Sequence, residues 1–177
     1  MFCMLQKVYM PYEWHSWRTQ SLMLGDRNPV VSVDIEGLEG FRLAQTDAQT
    51  YEQIVKLIKE NTTKEDKVYQ FPNIPLFNVL TEREAYYAAI PYFDVCPDNI
   101  AIENAQQLYD DPPKMVVWAN LSEGRWQIHE EVYRNGNPSG QREIQKFYQE
   151  IVSTQYTCLG VFDNNEGETM EVWLRND

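Results

Sequence analysis

Two histidines, His15 and His129, and three cysteines, Cys3, Cys96 and Cys158, are the groups in this 177-residue chain best suited to proton transfer, nucleophilic attack or metal ligation. They are few and far apart. No CxxC spacing occurs, so zinc ligation is not indicated, and two histidines do not make a His-rich metal centre. The chain carries no GxSxG, no HExxH, no P-loop and no GxGxxG following a strand. Cys96 has no catalytic signature around it and reads as a structural thiol. His129 falls in a predicted helix beside Glu130 and Glu131, which favours a packing or solvated role. The pairs Asp110-Asp111 and Glu130-Glu131 are adjacent, point in different directions on a helix and read as a solvated acidic face. No catalytic residue, metal site or cofactor is therefore assigned.

One stretch offers a binding edge instead. "VYQFPNIPLFNVLTERE", Val68 to Glu84, runs from a buried-looking strand through a proline corner into an apolar segment. In an open α/β sheet, ligands lie beyond the carboxyl ends of the strands, where the following helix offers free amide hydrogens. Phe71-Pro72 occupies such a strand end. Asn73 is placed as a helix N-cap and Pro75 in the first helical turn. Arg83 follows about two turns later, where a cation complements the helix dipole. A structural corner with Arg83 in a salt bridge is the equally weighted alternative. Tyr86, Tyr87, Tyr92 and Trp118 supply aromatic faces, for which core packing is the commoner use. The candidate binding residues are Asn73, Pro75, Arg83, Tyr86 and Tyr92.

These residues need a scaffold, and the hydrophobic pattern supplies one. Val30, Val31, Val33 and Ile35 form a short strand ending at Gly37 and Gly40. Thr46 and Gln49 make a capping box for a helix over 47–61, in which Tyr51, Ile54, Val55 and Ile58 recur at helical spacing. Asp98 caps a helix reaching Tyr109, stopped by Pro112 and Pro113. "KMVVWAN" reads as a central strand buried on both faces. Ser122 caps a helix through Trp126 to Tyr133, broken by "RNGNPSG". The span from Gln141 to Thr154 is the clearest amphipathic helix. A terminal hairpin pairs Leu159–Phe162 with Met170–Leu174 and presents one solvated face through Glu171, Trp173 and Arg175. The expected fold is an α/β layered sandwich: a mixed, mostly parallel sheet flanked by helices, with a C-terminal antiparallel hairpin. Residues 29–177 form a single domain, preceded over 1–28 by an irregular aromatic segment.

Charge narrows the partners. Fifteen Lys and Arg against 27 Asp and Glu give a formal charge of −12, which repels nucleic acid. Residues 1–28 contain no stretch long enough to span a bilayer and no signal-peptide anatomy, so the sequence reads as a soluble protein or as a domain placed after a last membrane helix. Cysteine usage leaves both cytosolic and extracytoplasmic settings open.

"DKVYQFPNIPLFNVLTERE", preceded by "TYEQIVKLIKENT" and followed by "YFDVCPDNIAIENAQQLYDDPPKMVVW", resembles the extracytoplasmic C-terminal domain of GT-C type membrane glycosyltransferases. These are relatives of the dolichyl-phosphate-mannose protein mannosyltransferases and the lipid A aminoarabinose transferases. "YEWHSW" is similar to the segment joining the last membrane helix to that domain, and "SGQREIQKFYQEI" to its closing part. The family pattern commonly has a tyrosine where Asn78 stands. The resemblance implies a non-catalytic module on the outer face of a membrane, partnered by the membrane part of its parent enzyme and by a sugar or lipid-linked sugar. In that family the catalytic acid lies in a loop near the first membrane helices, so this chain alone is expected to be inactive. The alternative is a self-contained cytosolic α/β protein that binds a small molecule or nucleotide at its sheet edge.

Overall fold

The computed structural model describes residues 30–72, 76–86, 96–163 and 169–176. In chain order these form β1 (Val30–Ser32), β2 (Arg42–Ala44), α1 (Gln45–Asn61), β3 (Lys67–Phe71), α2 (Leu76–Thr81), β4 (Glu84–Ala85), α3 (Asp98–Asp110), β5 (Met115–Asn120), α4 (Glu123–Arg134), α5 (Arg142–Phe147), a π-helical continuation (Tyr148–Val152), a last turn α6 (Ser153–Gln155), β6 (Tyr156–Asp163) and β7 (Thr169–Arg175). The five-stranded sheet has the order β4-β3-β5-β7-β6. β4, β3 and β5 run parallel, and β7 and β6 are antiparallel additions on the far side of β5. The mixed sheet, its flanking helices and the C-terminal hairpin are the architecture the sequence predicts.

Side-chain alternation along the strands divides the core into two layers. Val68 on β3, Met115 and Val117 on β5 and Val172 on β7 face one side and pack with Ile54, Val55 and Ile58 of α1 and with Phe77 and Leu80 of α2. Tyr69, Phe71, Val116 and Trp118 face the other side and meet Ala105 and Leu108 of α3, Trp126 of α4, and Ile144, Phe147 and Val152 of the α5 segment. Both faces of the sheet are thus covered, and Met115 through Ala119 are buried throughout. The continuous apolar run of β5 follows from that, because a central strand has no solvated side.

Four local details differ from the sequence reading. Among the described residues Val30–Ser32 pairs with β2 in a separate two-stranded ribbon, although Val33 and Ile35 beyond it are buried in the core. α1 begins at Gln45, with Ala44 as N-cap and no side-chain cap bond, so Thr46 and Gln49 lie inside the helix and form no capping box. Asp98 is the first residue of α3, after an N-cap at Pro97; its carboxylate instead accepts from the Gly140 N–H (2.6 Å) and pairs with Arg134. It therefore ties the α3 start to the turn after α4. Gly140 is required there, since a Cβ would come within 2.8 Å of the Asp98 Cα and carbonyl oxygen. Finally, the Glu171–Trp173 face of the hairpin is not simply solvated: Tyr148 and Trp173 pack together over it.

Other boundaries agree with the sequence. Ser122 is the α4 N-cap, its hydroxyl accepting from the Arg125 N–H at 3.2 Å, and Asn135 ends that helix in the left-handed region. Among the described residues no helix is long and apolar enough to cross a membrane.

Candidate functional site

β3 and β5 deliver Phe71 and Trp118 to the carboxyl end of the parallel strands, in register with each other. Phe71 is followed by a cis peptide bond to Pro72. The Phe71 ring stacks on Trp118 at 4.2 Å and on Trp126 at 6.0 Å, and Tyr148 covers the opposite face of Trp118 at 4.3 Å. Arg142 closes the stack with its guanidinium 5.2 Å from the Trp126 ring centre. Trp118 is 3% exposed with both ring faces occupied, so it is core packing and offers no sugar platform.

Arg83 lies beyond the end of α2, after Glu82 in the left-handed region. Its guanidinium donates to the Thr62 carbonyl (2.7 Å), the Thr62 hydroxyl (2.9 Å) and the Thr81 carbonyl. Thr62 ends α1 and Thr81 ends α2, so one planar fork serves the orphan carbonyls of two helix C-termini. Among the described residues, carbonyl and hydroxyl oxygens stand where the structural reading expected a carboxylate. Tyr86 plays the same part on α3, its hydroxyl bonded to the carbonyl oxygens of Gln107 and Asp111. Burial, reinforced by the nearby Asp111 and Asp110 charges, pushes the Tyr86 phenol up to about 12. Asn73, Pro75, Tyr87 and Tyr92 lie outside the described residues.

Asn78, at the position where the resembled family commonly has tyrosine, is 4% exposed and holds the sheet edge together. Its amide donates to the Val68 and Glu84 carbonyls, both at 2.9 Å, and its oxygen accepts from Gln70. Gln70 in turn accepts from the Phe77 N–H at 3.2 Å. β3, α2 and β4 are thereby locked by side chains taken from the quoted motif.

Cys96, His129 and Glu130 are also built into the fold. Cys96 is buried, and burial raises its thiol pKa, which keeps sulfur protonated and weakly nucleophilic. His129 is 3% exposed, beside the Tyr133 ring at 5.4 Å. Glu130 departs from the sequence reading: it is buried rather than part of a solvated face, and it accepts from both Arg142 Nε (2.6 Å) and Nη2 (2.7 Å) and from the Ser139 N–H (2.8 Å). The Arg142 contact, followed by the Ser139 bond against an opposing burial effect, holds its carboxyl below the usual range. Asp111 is exposed and pairs with Lys67 at 2.9 Å.

Sequence reasoning gave Glu171 no role beyond the solvated face of the hairpin. Its carboxylate accepts from the Tyr148 hydroxyl, from Trp173 Nε1 (2.8 Å) and weakly from the Asn120 amide (3.4 Å). The one signal in the sequence was a glutamate on the aromatic side of a strand whose other side is Met170, Val172 and Leu174. Among the described residues no group of three His, Cys, Asp or Glu is placed to hold a metal ion. Comparison of the chain with protein-family models, curated proteins and solved structures finds no match.

Proposed function

We propose that this chain is the non-catalytic extramembrane module of a polyprenyl-phosphate-sugar-dependent membrane glycosyltransferase. In this reading it stands on the extracytoplasmic face, against the membrane part of its parent, and helps to form or cover the acceptor side of a site whose chemistry lies elsewhere. One observation carries the reading. The described parts of the stretch on which the family resemblance rests, residues 66–72 and 76–84, are interlocked by the side chains of Gln70, Asn78 and Arg83 beside the parallel strand β3. Asp66 accepts from the Thr63 N–H and hydroxyl, Val68 and Tyr69 fill opposite core layers, Asn78 bridges β3 to β4, and Arg83 closes two helices. Residues used in this way suit a rigid part that positions a neighbour, because preorganised side chains hold geometry without changing protonation state.

An antibody against this chain tests the reading in cells that express it natively. The expected result is a band larger than the 177-residue chain in carbonate-washed membranes, removed by protease added from outside. The purified chain, given a polyprenyl-phosphate sugar and an acceptor, is expected to form no product. A band of this size confined to the soluble fraction, or turnover by the purified chain, overturns the proposal.

A further inference from the structure

The hairpin carries a small shelf whose chemistry the fold does not require. Register places Cys158 of β6 opposite Trp173 of β7, and Val161 opposite Glu171. Cys158 and Val161 are three residues apart and in an unbroken strand would face opposite sides. The register shift between Cys158 and Gly160 inserts one residue and turns both toward the same face, as bulges do when they re-aim a side chain. Cys158 is exposed and Val161 is 57% exposed, so the helices that cover this face end before β6. The floor is the half-buried Trp173 and Glu171, and Tyr148 stands at its inner side.

Glu171 is the unusual member. A half-buried carboxylate ordinarily has a cation beside it, yet its three donors among the described residues, Tyr148, Trp173 and Asn120, are all neutral. They fix the carboxylate in place without a cation bonded to it among the described residues. Oε1 has only the long Asn120 contact, so it retains capacity for a further donor. An anion held rigidly beside an indole and a phenol ring matches a guanidinium or ammonium group, which gains from both the charge and the ring faces. The formal charge of −12 attracts such a partner from a distance.

β6 also limits how the partner arrives. It is an eight-residue strand at the outer edge of the sheet, with β7 as its one neighbouring strand among the described residues. An extended segment adding along that edge would lie about 5 Å beyond β6 and roughly 10 Å from β7, so a long basic side chain on it reaches across Val161 to Glu171. We infer that the β6–β7 shelf docks an extended polypeptide segment of a partner, which pairs along β6 and sets an arginine or lysine against Glu171, Trp173 and Tyr148. This inference does not depend on the membrane-enzyme reading: it is tested on the isolated chain, whereas that reading is tested in cells, and either can fail alone.

The probe is the peptide acetyl-Thr-Val-Arg-Val-Thr-amide, compared with the same peptide carrying citrulline, the neutral isostere, in place of arginine. Binding is followed by NMR shifts of the Trp173 indole N–H and of the amides of residues 157–162. The arginine peptide is expected to bind roughly tenfold more tightly than the citrulline peptide, and that ratio should shrink with added salt. Glu171→Gln, which retains an acceptor for Tyr148 and Trp173, should abolish the ratio. Val161→Lys, which sets a built-in cation opposite Glu171 at an exposed position, should do the same, with circular dichroism confirming the fold. Equal binding of the two peptides, shifts confined to other surfaces, or a neutral methyl glycoside that moves the Trp173 signal at lower concentration than the arginine peptide would each overturn the inference.

Discussion

Replacing Arg83 by methionine separates an architectural arginine from a ligand-binding one. Methionine keeps the aliphatic bulk and removes the fork that donates to the Thr62 carbonyl, the Thr62 hydroxyl and the Thr81 carbonyl. Hydrogen bonds from a charged donor contribute about 1.5–3 kcal/mol each. Arg83 is half-exposed, so water recovers part of each bond, and about 1 kcal/mol apiece is the working value, for a total of about 2–3 kcal/mol. For a domain of this size that corresponds to a melting temperature lower by about 5–10 °C. Arg83→Lys keeps the charge without the planar fork and should recover about 1 kcal/mol of the loss. Urea unfolding is the assay: the midpoint should fall while the slope, set by the surface exposed on unfolding, stays constant. A methionine variant within about 0.5 kcal/mol of the parent, the range of an uninvolved surface side chain, would refute the assignment and return Arg83 to the ligand-facing role.

Asn78→Ala removes two bonds that join β3 to β4 and leaves the Val68 and Glu84 carbonyls without that donor; the expected cost is about 2–4 kcal/mol by urea unfolding, with faster amide exchange along β3. Gly140→Ala drives a Cβ into the Asp98 backbone, and a loss of about 1–3 kcal/mol is expected in the same assay. At alkaline pH, Tyr86 has a folded pKa of about 12, above its ordinary 10.0. Its contribution is therefore complete below pH 10 and lost as pH rises toward 12, and Tyr86→Phe should remove that part of the tyrosinate absorbance titration. At acid pH the sign reverses for Glu130, whose folded pKa is below its ordinary 4.5: its stabilisation is present above that value and lost as pH falls through the lower folded one. Glu130→Gln should flatten the fall in melting temperature over that acid range.

What could be read from the sequence and what could not separate along a physical line. β5 was legible because burial on both faces leaves a continuous apolar run, and α4 because Ser122 and the Asn-Gly after Arg134 are local signals. Capping was less legible. Thr46 and Gln49 have the right spacing for a box, but the chain enters α1 at Gln45 directly from β2, two residues too early for it. Asp98 has the right residue type at a helix start, but Arg134 and Gly140 compete for its carboxylate across the α3–α4 junction. Glu130 looked solvated because its neighbour Glu131 is, and the residue that buries it, Arg142, belongs to another helix. Local spacing carries no record of partners that tertiary structure brings from elsewhere.

The same distinction explains why the proline corner looked like a binding edge. α1 and α2 both end beside the amino end of β3, where their last carbonyls need donors. Long donors must therefore be stationed there, and Arg83, Tyr86 and Asn78 are those donors. A ligand site needs similar side chains in similar places, so residue type alone does not tell the two apart. Direction does. Beside the amino end of β3, donors converge on neutral carbonyls that the fold must satisfy; at Glu171, the donors among the described residues are neutral and converge on a charge. The first arrangement is satisfied within the chain, whereas the second leaves Glu171 Oε1, with its one long contact from Asn120, open to the basic side chain inferred above.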